Sequence, residues 1–317
     1  MATIVVSDPY EHLSLDRQVR MLQDRGMVVP DLEWAKVRLA HIGYCRLRPY
    51  WYTWYEPDGA ALESDKIVKR FRPDADFRSV IDTYRFDREL RLLVFAEIER
   101  IETSIKTTVI DVFSSALDAN WYEHREHFTD PVRHAELFIA IAKSVDRRRQ
   151  KEDGFVVRAK GSRYPPAWEA LQDLSLGQLS KMYYNMKPGP LKKRVAEVYG
   201  LDDSVLASWL NTLTEVRNTC AHHSRLWNRE ILTAPVIPKV VDSQRWITTP
   251  DKRSATRVYF SLVMMKYLLL AFMPDTGLTK RIAGLLEAYP KIPRGRMAWP
   301  DSWKEEPVWR LGGTENE

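Results

Sequence analysis

From Phe86 to Ala116 the chain contains neither glycine nor proline. Leu90, Leu93, Val94, Ile98, Ile101, Ile105, Val109 and Phe113 recur through it mainly at three- and four-residue steps. That spacing predicts one long amphipathic helix, because side chains three and four apart share a helical face.

The same period dominates elsewhere. Leu15, Val19 and Leu22 predict a helix within Leu13–Met27, stopped by Gly26, and Pro30 sits near the start of a second with Leu32, Ala35, Leu39 and Ile42 on its apolar side. Residues 44–56 break the pattern: Tyr44, Tyr50, Trp51, Tyr52, Trp54 and Tyr55 crowd around Pro49. Their first reading is packing against a helical body; the alternative is a platform on which bases stack. Further helices are expected at 131–149, 166–186, 189–199, 203–224, 252–273 and 277–288. Lys160–Pro166 and Thr233–Pro250 read as connectors, and the tail from Pro290 carries Trp299, Trp303 and Trp309 between prolines. The expected architecture is all-α. It has an N-terminal helical and aromatic extension (1–60), a helical core (61–290) and a Trp-rich tail (291–317) that packs back, all in one compact unit.

Composition narrows the class. A hydrophobic share of 44% with 29% charged residues excludes wholesale disorder. Only 13 glycines argue against a loop-rich all-β fold and leave no Gly-rich phosphate cradle. Two cysteines, Cys45 and Cys220, make neither a disulfide framework nor a zinc ribbon, which fits a reducing compartment. The first eight residues lack the pattern of a secretory leader, and the most apolar stretch, Tyr259–Met273, includes Lys266 and is too short for a bilayer. A cytoplasmic protein without membrane contact is expected. The formal net charge is only +5, yet eight basic residues against three acidic ones fall between Lys143 and Arg163, a local excess as large as that of the whole chain. Arg147, Arg148 and Arg149 lead this cluster, which is either a phosphate-contacting patch or a solvated face.

Chemistry gathers at one helix end. Leu206, Trp209, Leu210, Leu213, Val216 and Cys220 form an apolar stripe, after which two histidines, three arginines and two asparagines crowd into Arg217–Arg229. A helix C-terminus attracts positive charge, which accounts for arginines but not for adjacent histidines flanked by asparagines. Asn218 and His222 are four apart and share a face, so the amide can orient the imidazole. Arg217 and His222 are five apart, about 140° around the axis and about 7.5 Å along it. A straight helix would not aim both at one atom. Either the helix loosens, the arginine bends over, or two copies combine their residues. A metal site is disfavoured: adjacent side chains such as His222 and His223 diverge by about 100°. The set His124, His127, Asp130 and His134 reads as exposed helix end and loop. Cys220, on the apolar stripe, reads as a buried thiol.

Arg217-Asn218-x-x-x-His222 resembles the R-x(4–6)-H signature of the HEPN superfamily of RNases. The longer string Arg217-Asn-Thr-Cys-Ala-His-His-Ser-Arg-Leu-Trp-Asn-Arg229 resembles, more narrowly, the Abi-like abortive-infection family of bacterial phage-defence proteins. Gly43–Tyr52, Tyr84–Arg91, Glu99–Glu102, Pro166–Trp168 and Leu176–Ser180 extend the likeness over about residues 10 to 310, with a departure at Thr53-Trp54, where a proline and an aromatic are expected.

The resemblance implies a HEPN-like helical bundle and a metal-independent endoribonuclease of anti-phage defence that uses no cofactor. Cleaving RNA through its own 2′-hydroxyl needs proton transfer near neutral pH and positive charge on a developing phosphorane, which histidine and arginine supply. In that scheme His222 is general base or acid and Arg217 stabilises the transition state. Asn218 orients His222 or binds phosphate. His223 is a second proton carrier, a substrate contact or a structural residue, while Arg225, Asn228 and Arg229 support the flanking strand. Glu99 and Glu102 either face the same cleft, fixing Arg217, or pair with Arg100 and Lys106 at the surface. The resemblance further implies a two-fold dimer with facing motif helices, its apolar contact drawn from residues 50–55 or Tyr259–Met273. It also implies a restraint on activity by a small RNA, an antitoxin protein or infection itself. The competing reading is a catalytically silent RNA-binding or protein-interaction module.

Overall fold

In the computed structural model, which describes residues 12–63, 66–149, 164–239, 245–247 and 250–310, the Ser14 side chain accepts a hydrogen bond from the Arg17 N–H at 3.3 Å and opens α1 (Leu15–Asp24). Val19 and Leu22 are its buried residues, and Gly26 ends the segment at φ +95°, a left-handed conformation that costs glycine little. Asp31 caps α2 (Leu32–Ile42) by accepting from the Trp34 N–H at 2.9 Å. The aromatic run expected to break the pattern instead forms α3 (Tyr44–Trp51). Pro49 falls in its last turn, where the missing N–H forfeits little of the ladder. Tyr50 and Trp51 are buried, and the Tyr50 hydroxyl donates to Asp87 at 2.6 Å. Packing, then, occupies two of these side chains.

A hairpin that helical periodicity did not anticipate follows, with β1 (Tyr55–Glu63) antiparallel to β2 (Lys66–Phe71). Tyr55 pairs with Phe71, their rings stacked at 4.6 Å, and Glu63 pairs with Lys66. Pro57, Asp58 and Gly59 read locally as a turn. They fall where the register shifts between Tyr55 and Ala60, an irregularity that lets proline and glycine sit in a strand.

The long helix α4 (Phe77–Ala116) spans 40 residues and starts nine residues before the periodic run. Phe77, Val80 and Ile81 are buried and extend the stripe. Residues 1–89 with 289–292 make one compact unit, and residues 90–288 with 293–317 make the second. The division falls inside α4, where an unbroken helix leaves no compositional mark. In the first unit the Tyr289 ring lies against Phe86 at 5.8 Å and its hydroxyl donates to Glu89 at 2.6 Å.

The second unit adds α5 (Pro131–Arg149), α6 (Ala167–Ala170), α7 (Leu176–Asn185), α8 (Pro190–Glu197), α9 (Asp203–Ala221), α10 (Lys252–Ala255), α11 (Val258–Leu269), α12 (Leu278–Ala288) and α13 (Pro307–Arg310). The helix expected at 166–186 is interrupted because Ser175 and Gln178 form a capping box that starts α7 afresh. The one expected at 252–273 divides at Arg257, whose backbone is extended. Every residue of α11 is buried, so this helix is core and offers no dimer face. The tail packs on it as expected: Trp309 Nε1 donates to the Tyr259 hydroxyl at 3.0 Å, and the Trp299 ring lies 5.3 Å from Tyr259. Among the described residues no helix is long and apolar enough to cross a membrane.

Candidate functional site

The helix α9 carries the motif because one side of it is anchored and the other is polar. Leu206, Trp209, Leu210, Leu213, Val216 and Cys220 are all buried. Asn211, Thr214, Glu215, Asn218 and His222 recur on the opposite face, within an arc of roughly 100° on an ideal helix.

A second wall is built against that polar face by hydrogen bonds from α9 itself. The Glu215 carboxylate accepts from the Leu232 N–H at 3.0 Å and the Thr233 N–H at 2.8 Å. Thr212 Oγ1 donates to the Thr233 carbonyl at 2.9 Å, Ser208 Oγ accepts from the Val236 N–H at 2.8 Å, and Trp209 Nε1 donates to the Val236 carbonyl at 2.9 Å. Helix and segment flank an open, shallow recess of about 360 Å³ lined by Asn211, Thr214, Asn218, His222, Arg229 and Thr233, with Glu215, Thr219 and Ser224.

The helix end has a defined geometry. The His223 N–H donates to the Cys220 carbonyl and the Ser224 N–H to the Thr219 carbonyl, the paired bonds of a Schellman motif. Glycine usually occupies the left-handed position of this motif. Here it is His223 at φ +55°, a conformation that histidine tolerates better than most side chains. Buried Leu226 and Trp227 then pull the chain back into the core, and Asn228 (φ +53°) turns it toward Arg229. Arg91 of α4, itself buried, reaches the Ser224 carbonyl at 3.5 Å.

The structure brings Asn218, His222 and Arg229 to one recess and leaves Arg217 outside it. Arg217 Nη1 donates to Asn218 Oδ1 at 3.2 Å, and the guanidinium lies 5.9 Å from the ring centre of Phe95 on α4. The helix does not loosen to turn Arg217 toward His222; the angular offset of the sequence persists. Asn218, with its carbonyl engaged, keeps its amide N–H groups for other partners. His222 and His223 are both exposed, but only His222 lines the recess. The Arg229 Nε is buried and has no hydrogen-bond partner in the structure.

The other expected residues lie elsewhere. Arg225 and Asn228 are half-buried in the segment after α9 and do not line the recess. Glu99 is exposed on α4, and Glu102 pairs with Lys106 at 3.7 Å, the expected ion pair, but with both side chains largely buried. Two other carboxylates of that helix are buried: Asp87, which accepts from Tyr50, and Glu97, paired with Arg281 at 2.6 Å and Arg100 at 3.5 Å. The signal for Glu97 was its place between Val94 and Ile101 on the apolar stripe. Lys266 is buried on α11, which carries no carboxylate, and burial, with Arg281 second, pushes its pKa down to about 8. Within the basic cluster, Arg148 is committed to Asp173 at 3.0 Å, Glu169 at 3.8 Å and the Glu169 carbonyl at 2.9 Å. Arg147 is exposed, and its Nε donates to the Lys143 carbonyl at 3.3 Å. The Arg149 side chain and the cationic residues Lys151, Arg158, Lys160 and Arg163 lie outside the described residues.

Among the described residues no group of three or more potential ligands is placed to hold a metal ion. The His134 ring is buried, its Nε2 within 2.9 Å of the Tyr122 carbonyl and its face stacked on Phe128. His124 faces Asp118 at 3.3 Å. Asn211, Thr214 and Thr233 were not anticipated as site residues; the first two were legible as polar steps three and four apart on α9, whereas Thr233 needed the fold.

A family model described as Abi-like protein matches residues 38–228, a span that ends within the motif segment at Asn228. No curated protein and no solved structure matches the chain.

Proposed function

The chain belongs to the Abi-like protein family, which ties it to abortive infection and phage defence, and from that premise we propose that it is a metal-independent endoribonuclease of the HEPN superfamily, built on that superfamily's helical bundle and acting in the bacterial cytoplasm. The observation that carries this reading is the shared recess of His222, Asn218 and Arg229 at the end of α9. An exposed imidazole that shares a recess with an arginine is suited to a phosphodiester. The guanidinium neutralises the phosphate while the imidazole moves a proton to or from the reacting oxygen. Attack by the 2′-hydroxyl on phosphorus expels the 5′-oxygen, which takes up a proton, so the reaction needs one base and one acid.

One copy of the chain supplies His222 and Arg229 to the recess but turns Arg217 to another side of α9. A two-fold dimer resolves this, with Arg217 and His222 of the partner subunit completing the pair of proton carriers and the positive charge around one strand. His223, Arg225 and Asn228 contact the flanking strand in this scheme. Glu99 and Glu102 take no part in the chemistry of a single copy.

The test is cleavage of single-stranded RNA by purified protein in EDTA. Cutting by wild type and a loss of 10²-fold or more, on the order expected for a general acid or base, in His222→Ala supports the nuclease. Tight binding with no cutting makes the chain a recognition module instead.

A further inference from the structure

The recess extends well beyond the histidine. From His222 back to Asn211 it follows α9 for about 16 Å, at 1.5 Å per residue, which is several nucleotide spacings of a strand. Among the described residues the only arginine or lysine lining it is Arg229. The remainder is amide, hydroxyl and one carboxylate.

Such a lining is wrong for a phosphate track. Glu215 lines it between Asn211 and His222, its two oxygens accepting backbone N–H groups, and a carboxylate in that place disfavours anions. It attracts, by the same sign, the exocyclic amines of bases. Asn211 is exposed with a side-chain amide that offers one donor edge and one acceptor, and Asn218 retains its N–H donors. Thr214 Oγ1 spends its proton on the Leu210 carbonyl at 2.7 Å, leaving acceptor lone pairs. Amides of this kind pair with the adjacent amine and ring nitrogen of adenine.

We propose that the recess along α9 is a base-reading track for single-stranded RNA. In it Asn211, Thr214 and Asn218 contact the edges of bases that carry an exocyclic amine, adenine and cytosine over uracil, and Arg229 holds the single phosphate next to His222. The proposal rests on the endoribonuclease reading for its substrate. Glu215 acts as a positioning residue: it pins the 232–233 wall and sets the sign of the field. Single strands are required because a duplex hides these edges.

Short homopolymers of adenylate, cytidylate and uridylate, titrated against the full-length His222→Ala chain, test it without turnover. Adenylate and cytidylate should bind about tenfold tighter than uridylate, within the range one good side-chain to base pairing supplies. Adding Asn211→Ala and Thr214→Val, both on the exposed or half-exposed face of α9, should bring that ratio near one, chiefly by weakening adenylate and cytidylate. Arg229→Ala should weaken all three alike. Mapping cleavage sites on a mixed-sequence RNA with otherwise wild-type protein separates the two ideas. Cleavage whose base preference ignores Asn211 and Thr214 overturns the track and leaves the nuclease standing. Base-dependent binding that follows those residues, with no cleavage by wild type, keeps the track and removes the nuclease. Binding that never depends on base identity overturns the track outright.

Discussion

The Arg217 guanidinium lies 5.9 Å from the ring centre of Phe95 and donates to Asn218 beside it, while His222 looks into a recess that Arg217 does not line. The two halves of the motif therefore serve different surfaces of α9. In a composite site the Phe95 ring would hold the guanidinium in a fixed pose for a neighbouring copy. Arg217→Ala should then lower cleavage by about 10²- to 10³-fold, as loss of a charge-stabilising donor does. Phe95→Ala should cost less than about tenfold, since an exposed cation–π contact is worth about 0.5–1 kcal/mol. Steady-state kinetics of the two single variants and the double variant check this; a Phe95→Ala effect as large as that of Arg217→Ala would mean the ring has another role.

Subunit mixing tests the composite directly. Doping active protein with excess His222→Ala chains should depress activity below simple dilution, because mixed dimers hold an incomplete pair of proton carriers. A strictly proportional fall, in a protein that sediments as a monomer, would show that each chain holds a whole site.

The chemistry leaves a signature on its products. Attack by the 2′-hydroxyl yields a 2′,3′-cyclic phosphate and a 5′-hydroxyl, and a 2′-deoxy substitution at the scissile nucleotide should abolish cutting. End-group analysis of the fragments reads both. Strict dependence on Mg²⁺ would count against histidine chemistry.

Arg147 and Arg148 are neighbours with different tasks. Arg148→Ala breaks a network to Asp173 and Glu169 and should destabilise the fold by about 1–3 kcal/mol, the cost of stranding hydrogen-bonded partners. Arg147→Ala should leave the thermal midpoint unchanged and, if this face meets RNA, reduce the slope of log affinity against log salt by about 0.7. Thermal melts and salt titrations of the two variants separate the roles.

Lys266 makes stability depend on pH. Its folded pKa is pushed down to about 8 from the ordinary 10.5, mainly by burial. Between those values the unfolded chain holds the proton and the folded chain does not, so stability from this group is fully present above pH 10.5 and is lost as pH falls through about 8. The wild-type melting temperature should therefore carry a rising contribution from pH 8 to 10 that Lys266→Met removes. The difference between the two melting curves isolates it, since tyrosines such as Tyr259, raised by burial, are common to both. Parallel curves would show that Lys266 does not titrate in this window.

Local periodicity was enough to determine the helical class, the run of α4, the apolar stripe of α9 and the polar residues that gather at its end. These are properties of neighbours three and four apart, and a helix writes them into sequence wherever it buries one face. It also posed the five-residue offset of Arg217 and His222, and left open whether the helix end would loosen to close it. Tertiary structure decided the rest. Glu97, not Glu99 or Glu102, became fully buried and ion-paired, because Arg281, far along the chain, lies where it can pair with it. Arg148 was drawn into a structural network by Asp173 and Glu169, which the cluster's charge alone could not reveal. The β1–β2 hairpin came from cross-strand pairing around a Pro-Asp-Gly sequence that reads locally as a turn. The recess itself exists because Glu215 and Thr212 bind Thr233, residues some twenty positions apart. One-dimensional spacing fixes which side of a helix is buried; which distant backbone comes to lie against the other side is set only when the chain has closed its long-range contacts.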